Sequence, residues 1–259
     1  MTRELITRRA ALVGAMGAGG LILSGCDRLS QNQTFQRMLE GAEKLNLTGQ
    51  RLVLNSSQPL AHEYQLSDIS RVFKANGTVR PEGDEYRRLV LTEFSDWKLQ
   101  IGGLVKKPLA FSLAELKAMP SRTQITRHDC VEGWSAIGQW TGVPLSHLLA
   151  QAELMPNARY IVFRCADDLL NSQDGSGLYY ESIDLVDAFH PQTIMAYAMN
   201  GQALPVPHGA PIRLRVERQL GYKMAKYVMR IEAVAEFSKI GFGKGGFWED
   251  RGYEWYAGI

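Results

Sequence analysis

The sequence predicts an α+β fold, a single domain of mixed sheets and short helices, and three observations predict it. Hydrophobic residues make up 45% and charged residues 22% of the 259 positions, which is enough apolar surface for a real core. Runs of period-two alternation are interspersed with short helical patterns, without the regular strand–helix–strand rhythm of a doubly wound sheet. No self-similarity recurs at solenoid spacing, and no tract is of low complexity.

Taken in order, residues 1–25 read as an export signal. Arg8 and Arg9 precede a glycine-interrupted apolar stretch from Ala10 to Leu23, too short for a confident membrane span. The arginine pair and the weak hydrophobicity resemble a twin-arginine signal, and Leu23-Ser24-Gly25-Cys26 resembles a lipobox with Cys26 as the acylated residue. Residues 26–58 form a polar tether with one short helix, in which Phe35, Met38, Leu39, Ala42 and Leu45 keep helical spacing. The globular body spans 59–240. In it Trp97, Leu99 and Ile101 alternate as a strand ended by Gly102-Gly103. Ser112 and Glu115 form a capping box for a helix over 113–119, stopped by Pro120. Thr123–Thr126 is strand-like, and Pro144 opens a helix through Leu149. Tyr160–Cys165 reads as a strand and Ile183–Phe189 as a helix. Ile212, Leu214 and Val216 read as a strand whose other face carries Arg213, Arg215 and Glu217. Residues 241–259 are an aromatic tail expected to pack on the domain.

Charge and motif content exclude several classes. Lys and Arg number 29 against 27 Asp and Glu, and outside the signal the two balance, which argues against an electrostatic nucleic-acid binder. Three cysteines cannot make a four-cysteine metal site. There is no H-E-x-x-H and no C-x-x-C-H, so neither a zinc protease nor a covalently attached c-type haem is encoded. Gly241–Gly246 has no Ser or Thr after Lys244 and reads as a flexible loop rather than a phosphate loop.

The informative segment is Arg127-His128-Asp129-Cys130-Val131-Glu132-Gly133-Trp134. A thiol flanked by Arg127 and His128 has its thiolate favoured, and thiolate suits a soft, oxidisable metal. Taken bare, a lone cysteine is more often a buried small apolar residue. A nucleophilic Cys130 with His128 or His208 as base, as in a thiol hydrolase, also fits these residues. So does a non-catalytic periplasmic binding lipoprotein, and a Cys130–Cys165 disulfide is open in an oxidising compartment.

Three blocks in order then carry a resemblance: Cys130-Val131-Glu132-x-Trp134, Trp140–Leu145, and Gly209–Leu214. They resemble the catalytic domain of the sulfite oxidase family, molybdopterin-dependent oxidoreductases. The haem-free bacterial branch that includes periplasmic methionine-sulfoxide reductase is the most similar. The resemblance implies one molybdenum per chain in Mo-molybdopterin, with Cys130 as the metal's protein ligand. It implies that Arg213 holds the cofactor phosphate and that His208, Met224, Ala225 and Lys226 meet the pterin. Asn76 matches a cofactor-side Asn, and Cys165 stands where the reductase has a Thr touching the cofactor. Glu132, and His128 beside Cys130, are its candidate catalytic groups, though Glu132 reads equally as a structural carboxylate. His208, Arg213, Lys223 and Lys226 lie close enough in sequence to furnish the cationic pocket that a phosphate needs.

The expectation is therefore an exported enzyme moving an oxygen atom to or from a small sulfur or nitrogen oxide, such as sulfite or a sulfoxide. Electrons would pass to or from a separate haem protein, either in the membrane or a periplasmic cytochrome. Export by the twin-arginine machinery, a periplasmic location with an anchor at Cys26, and a monomeric state complete the reading.

Overall fold

The structure, a computed structural model, describes residues 60–259 apart from 173, with 32–35, 38, 41, 45, 48 and 49. The expected export signal, the expected lipobox at Cys26 and most of the expected tether lie outside the described residues. The chain divides into two units, Met1–Gln58 and Pro59–Ile259. In the first, residues 33–35, 38, 41, 45, 48 and 49 are helical, and Met38 and Leu45 are exposed.

The second unit is built on two sheets. In the first, β1 (Lys98–Gly103) lies between β2 (Leu109–Ser112) and β10 (Val228–Val234), followed by β5 (Tyr160–Asp168) and β6 (Leu178–Asp184). The β1–β10 pair is parallel and its other pairs are antiparallel. The second sheet runs β3 (Arg122–Asp129), β4 (Ser135–Pro144), β7 (Ile194–Met199) and β8 (Gln202–Ala203), with β9 (Arg213–Arg215) pairing with residues 194–196 of β7. Helices α1 (Asp84–Leu91), α2 (Leu113–Ala118), α3 (Leu145–Ala152) and α4 (Leu185–Ala188) are short connectors. The class is α+β, as the irregular alternation of patterns implies.

Local chemistry explains these elements. The side chains of Ser112 and Glu115 exchange hydrogen bonds with each other's backbone N–H, at 3.3 and 2.7 Å, and open α2. Leu145, Leu148, Leu149 and Ala152 are buried at helical spacing on α3, each leucine contributing about 2 kcal/mol of apolar burial. They join one large core with Leu99, Ile101, Phe163, Ile183, Ile212 and Ile231. A second, small core under the other sheet holds Trp140, Ile194, Ala196, Met199 and Leu204, with Phe73 packed on it.

Three expectations change. The helix over 183–189 is a single turn, because β6 runs through Ile183 and Asp184 before the Asp184 carboxylate caps the Asp187 N–H at 2.9 Å. The strand at 212–216 contracts to Arg213–Arg215, and its charged face is buried. The Gly241–Gly246 loop is folded around the Asp250 carboxylate, which accepts from the N–H of Phe242 (3.0 Å) and Lys244 (3.1 Å) and from the Tyr180 hydroxyl (2.6 Å). Of the tail aromatics, Phe247 enters the main core and Trp248 packs at its edge, whereas Phe242 is exposed.

Candidate active site

A cavity of about 170 Å³ opens where the Asn76–Thr78 stretch, the turn joining β3 to β4, the end of β5, Tyr179 of β6, the run from Gly221 to Lys226, and Trp248 with Tyr253 meet. Cys130 sits on its wall. The hairpin aims this residue, because Cys130 N–H donates to Trp134 O and Cys130 O accepts from Gly133 N–H, both at 2.9 Å. With both main-chain groups engaged in the turn, the side chain is carried by a rigid support and is 8% exposed. Val131 and Glu132 form the neighbouring rim of the cavity. The Glu132 carboxylate accepts from Lys74 Nζ at 3.1 Å and from Trp134 Nε1 at 3.0 Å, and these bonds hold it below the usual carboxylate range.

Behind the cavity lies a buried cationic floor. Arg215 is paired with Glu217 through two bonds of 2.9 and 2.6 Å. Arg213 is different: its Nη1 donates to His208 O (3.0 Å) and Nη2 to Met224 O (3.2 Å), while Nε has no partner. Lys226 Nζ donates to the carbonyls of Asn76 (2.6 Å), Thr78 and Pro207 (3.1 Å). Burial and Arg215 bring the Arg213 guanidinium down to about 9, and burial and Arg213 bring Lys226 down to about 7. The Trp140 ring lies under both guanidinium groups, 5.0 Å from Arg213 and 4.4 Å from Arg215.

His128 and His208 flank this floor. His128 is wholly buried and held neutral, its affinity for a proton lowered by burial and then by Arg215 and Arg213. Arg215 Nη1 lies 3.1 Å from His128 Nδ1; the network assigns Nδ1 as acceptor and leaves the proton on Nε2, which has no partner. His208 is brought down to about 4 by burial and by Arg213 and Lys226, and its Nδ1 also lacks a partner. Two glycines permit the close packing here. A Cβ on Gly209 (φ +110°) would lie 2.9 Å from Lys226 Cβ, and one on Gly221 would collide with His128 Nε2.

Of the residues singled out in the sequence, Cys130, Glu132, Asn76, Met224 and Lys226 line the cavity. Arg213 and Ala225 belong to its buried support, and half-buried His208 adjoins them through its carbonyl, which accepts from Arg213 Nη1. His128 lies behind Gly221 and Met224, its Nδ1 also 3.3 Å from Met224 Sδ, so it reaches the cavity only through that wall. The idea that Arg127 and His128 favour the Cys130 thiolate is corrected. Arg127 turns to Asp129 at 2.9 Å, His128 is neutral, and burial followed by the Glu132 charge pushes the thiol up. Lys223 does not join the cationic pocket. It is fully buried between Glu181 and Glu249, 2.5 Å from each. Cys165 does not line the cavity but borders two neighbouring grooves, and both it and Cys130 are free thiols. Asp167, two residues on, takes the place on the cavity wall. Sequence reasoning missed Asp167, Thr78 and the Phe73 ring, which meets His128, Trp134, Trp140 and His208 within 6.2 Å.

The fold and this site define an oxidoreductase that binds a phosphate-bearing redox cofactor beside a thiol. Residues 88–240 match the family described as the oxidoreductase molybdopterin binding domain, and the chain belongs to that family of molybdenum-cofactor enzymes, which includes the sulfite oxidases. It is 38% identical over 256 residues to a protein of Azospira oryzae named provisionally as a protein-methionine-sulfoxide reductase subunit, YedZ1. That match covers 98% of this chain and 89% of the relative. Among solved structures, the sulfane dehydrogenase SoxCD of Paracoccus pantotrophus is 27% identical with a TM-score of 0.49. There the match covers 55% of this chain and 39% of the other.

The residues fit the family's cofactor. Arg213 and Lys226 are buried cations bonded only to carbonyl oxygens, the environment an anionic phosphate would complete. Asn76 Oδ1, His128 Nε2, His208 Nδ1 and Arg213 Nε are buried polar atoms without partners around the same space. Among the described residues no group of three or more His, Cys, Asp or Glu could hold a metal ion, so a metal at Cys130 depends on the ligands that a cofactor brings.

Proposed function

We propose that this chain is an exported S-oxide reductase that removes the oxygen atom from a small sulfoxide, with electrons supplied by a separate haem protein. The observation that carries the reading is the Cys130 thiol on the cavity wall beside the buried, carbonyl-bound cations Arg213 and Lys226. The 38% identity to a protein named as a methionine-sulfoxide reductase subunit supports the reductive direction and a partner subunit. The two-electron redox chemistry is what the molybdenum–pterin group would supply when bound.

The chain's own residues have separable tasks in this reading. Cys130 gives the sulfur that holds the metal, and its hairpin fixes where that sulfur stands. Arg213 and Lys226 take the phosphate; Asn76, His208 and the Met224–Ala225 backbone meet the pterin. Glu132, tied to Lys74 and Trp134, lies at the mouth where substrate enters and where a proton can be exchanged with water. Val131 and Tyr253 give the mouth an apolar edge suited to the carbon groups of a sulfoxide. Delivery through a twin-arginine signal and retention by lipidated Cys26 would keep the enzyme beside a membrane haem protein in the periplasm.

The test is a dye-linked panel with methionine sulfoxide, dimethyl sulfoxide, trimethylamine oxide and sulfite, run on wild-type protein and Cys130→Ser. The reading expects reduction of a sulfoxide, loss of that activity in the variant, and a molybdenum content near one per wild-type chain. Sulfite oxidation without sulfoxide reduction would reverse the direction, and full activity in Cys130→Ser would overturn the role of that thiol.

A further inference from the structure

Residues 60–83, all of them described, carry one helical turn, Leu66–Asp68, and otherwise run outside both sheets until α1 begins. This strap crosses the β3–β4 hairpin. Ala61 exchanges two hydrogen bonds with the Gln192 side chain, at 2.7 and 2.9 Å, and Tyr64 N–H donates to Ile125 O of β3 at 2.8 Å. Ser70 grips β4: its N–H donates to Ile137 O at 3.0 Å, and its Oγ accepts from Ile137 N–H at 2.9 Å. Beyond Ser70 the strap is held by a ring and a cation. The Phe73 ring sits 5.4 to 6.2 Å from those of His128, Trp134, Trp140 and His208. Gly138 of β4 leaves room for it, since a Cβ there would stand 3.1 Å from Phe73 Cε2. Lys226 Nζ then fastens the carbonyls of Asn76 and Thr78, and the Tyr227 hydroxyl donates to the second of these at 2.8 Å.

The strap covers groups that a ligand entering at the mouth does not reach. Arg213 is fully buried and does not line the cavity, and Lys226 is only 6% exposed. For a phosphate to meet both cations, part of their cover has to move. Strand β9, which carries Arg213, is tied to β7 through Ala196, Met195 and Ile194. The turn after Pro205 is locked against Lys226 at Gly209, where a Cβ would lie 2.9 Å from Lys226 Cβ. The strap is the third piece, and lifting it parts no strand pair: it breaks the bonds above and withdraws one aromatic ring. Local opening takes the least anchored segment first. The strap also carries Asn76 Oδ1, a buried acceptor without a partner, so a ligand beneath it gives the closed strap a bond that the empty site lacks.

We propose that residues 60–83 are the entry strap for the cofactor: with Phe73 as its latch it lifts from the β3–β4 hairpin, admits the phosphate end to Arg213 and Lys226, and closes over the bound group. The proposal rests on the family's cofactor and not on the direction of the reaction, so its test uses no substrate. Full-length wild type, loaded and cofactor-free, is followed by hydrogen exchange with fragmentation that resolves single amides. The Tyr64, Ser70 and Ile137 amides should exchange about tenfold faster or more in the cofactor-free protein, while amides of β1 and β10 change by less than about threefold. Pterin released into dialysis, measured by fluorescence after oxidation, should appear about tenfold faster from Phe73→Ala and at an intermediate rate from Phe73→Leu, which keeps part of the apolar latch. Ile101→Val, in the main core, lowers thermal stability as a control and should release pterin at the wild-type rate. Should Phe73→Ala fail to fold, Ser70→Ala, which removes the acceptor of Ile137 N–H, carries the same expectation. Strap amides that exchange alike with and without cofactor overturn the proposal, as does wild-type release from the folded variants. Exchange that rises in β7 and β9 instead also overturns it, because the entry then lies at that sheet.

Discussion

Arg213→Met separates a ligand-binding arginine from a structural one. In the cofactor-free protein two opposing quantities nearly cancel. Burial and Arg215 bring the Arg213 guanidinium down to about 9, a displacement of about 3 to 4 pH units and so about 4 to 5 kcal/mol against the charged form. Methionine relieves that penalty. The substitution also removes the bonds to His208 O and Met224 O, each worth about 1.5 to 3 kcal/mol for a charged donor, or about 3 to 6 kcal/mol together. The net change is within about 2 kcal/mol, at about 2–4 °C per kcal/mol for a domain of this size. If Arg213 holds the cofactor phosphate as proposed, the loaded variant should lose a charge-assisted pairing of about 3 kcal/mol, roughly a hundredfold in affinity. Differential scanning calorimetry of the cofactor-free variant and fluorescence of released pterin read the two effects separately. A cofactor-free Tm lowered by more than about 10 °C, with full pterin in the chains that fold, would refute the reasoning.

Other substitutions read other parts of the site. Lys226 is down at about 7, so burying its charge costs stability below that pH, and the cost is relieved as pH rises toward the unfolded value. Cofactor-free wild type should therefore gain stability between about pH 7 and 10 relative to Lys226→Met, measured by urea titration at each pH. Gly221→Ala places a methyl against His128 Nε2 and should lower pterin content while costing about 1–3 kcal/mol; wild-type values of both would contradict the packing. Lys223→Met leaves Glu181 and Glu249 buried without their cation, at about 3–5 kcal/mol. Burial, with Glu249 beside it, raises Glu181, so stability held when it is protonated is lost as pH rises; the thermal deficit of Lys223→Met should be larger at pH 8 than at pH 5.

Much of this architecture was legible where side-chain pattern follows local geometry. The alternation at 97–101, the Ser112–Glu115 box and the helix after Pro144 all express contacts within a few residues. Strand β7 was not recognised, because Ile194, Met195, Ala196 and Met199 are all buried and the chain shows no two-residue period there. The start of α4 had a readable signal in Asp184, three residues before the N–H that it caps. The site was legible in part for the same reason. Cys130 stands in a local hairpin motif, whereas Arg213 looks like a solvated strand residue until β7 and Trp140 are packed around it. Lys223 and Lys226 are indistinguishable by composition, yet one faces two carboxylates and the other three carbonyls. Asp167 depends on a bulge whose register only the pairing with β6 reveals.

The central claim is that the sulfur of Cys130 is bonded to the molybdenum of a bound pterin cofactor. X-ray absorption at the molybdenum edge, on wild-type and Cys130→Ser protein of equal pterin content, tests it most directly. The account predicts one sulfur neighbour fewer in the variant. An identical sulfur shell in both proteins, or wild-type protein carrying pterin but no molybdenum, would contradict it.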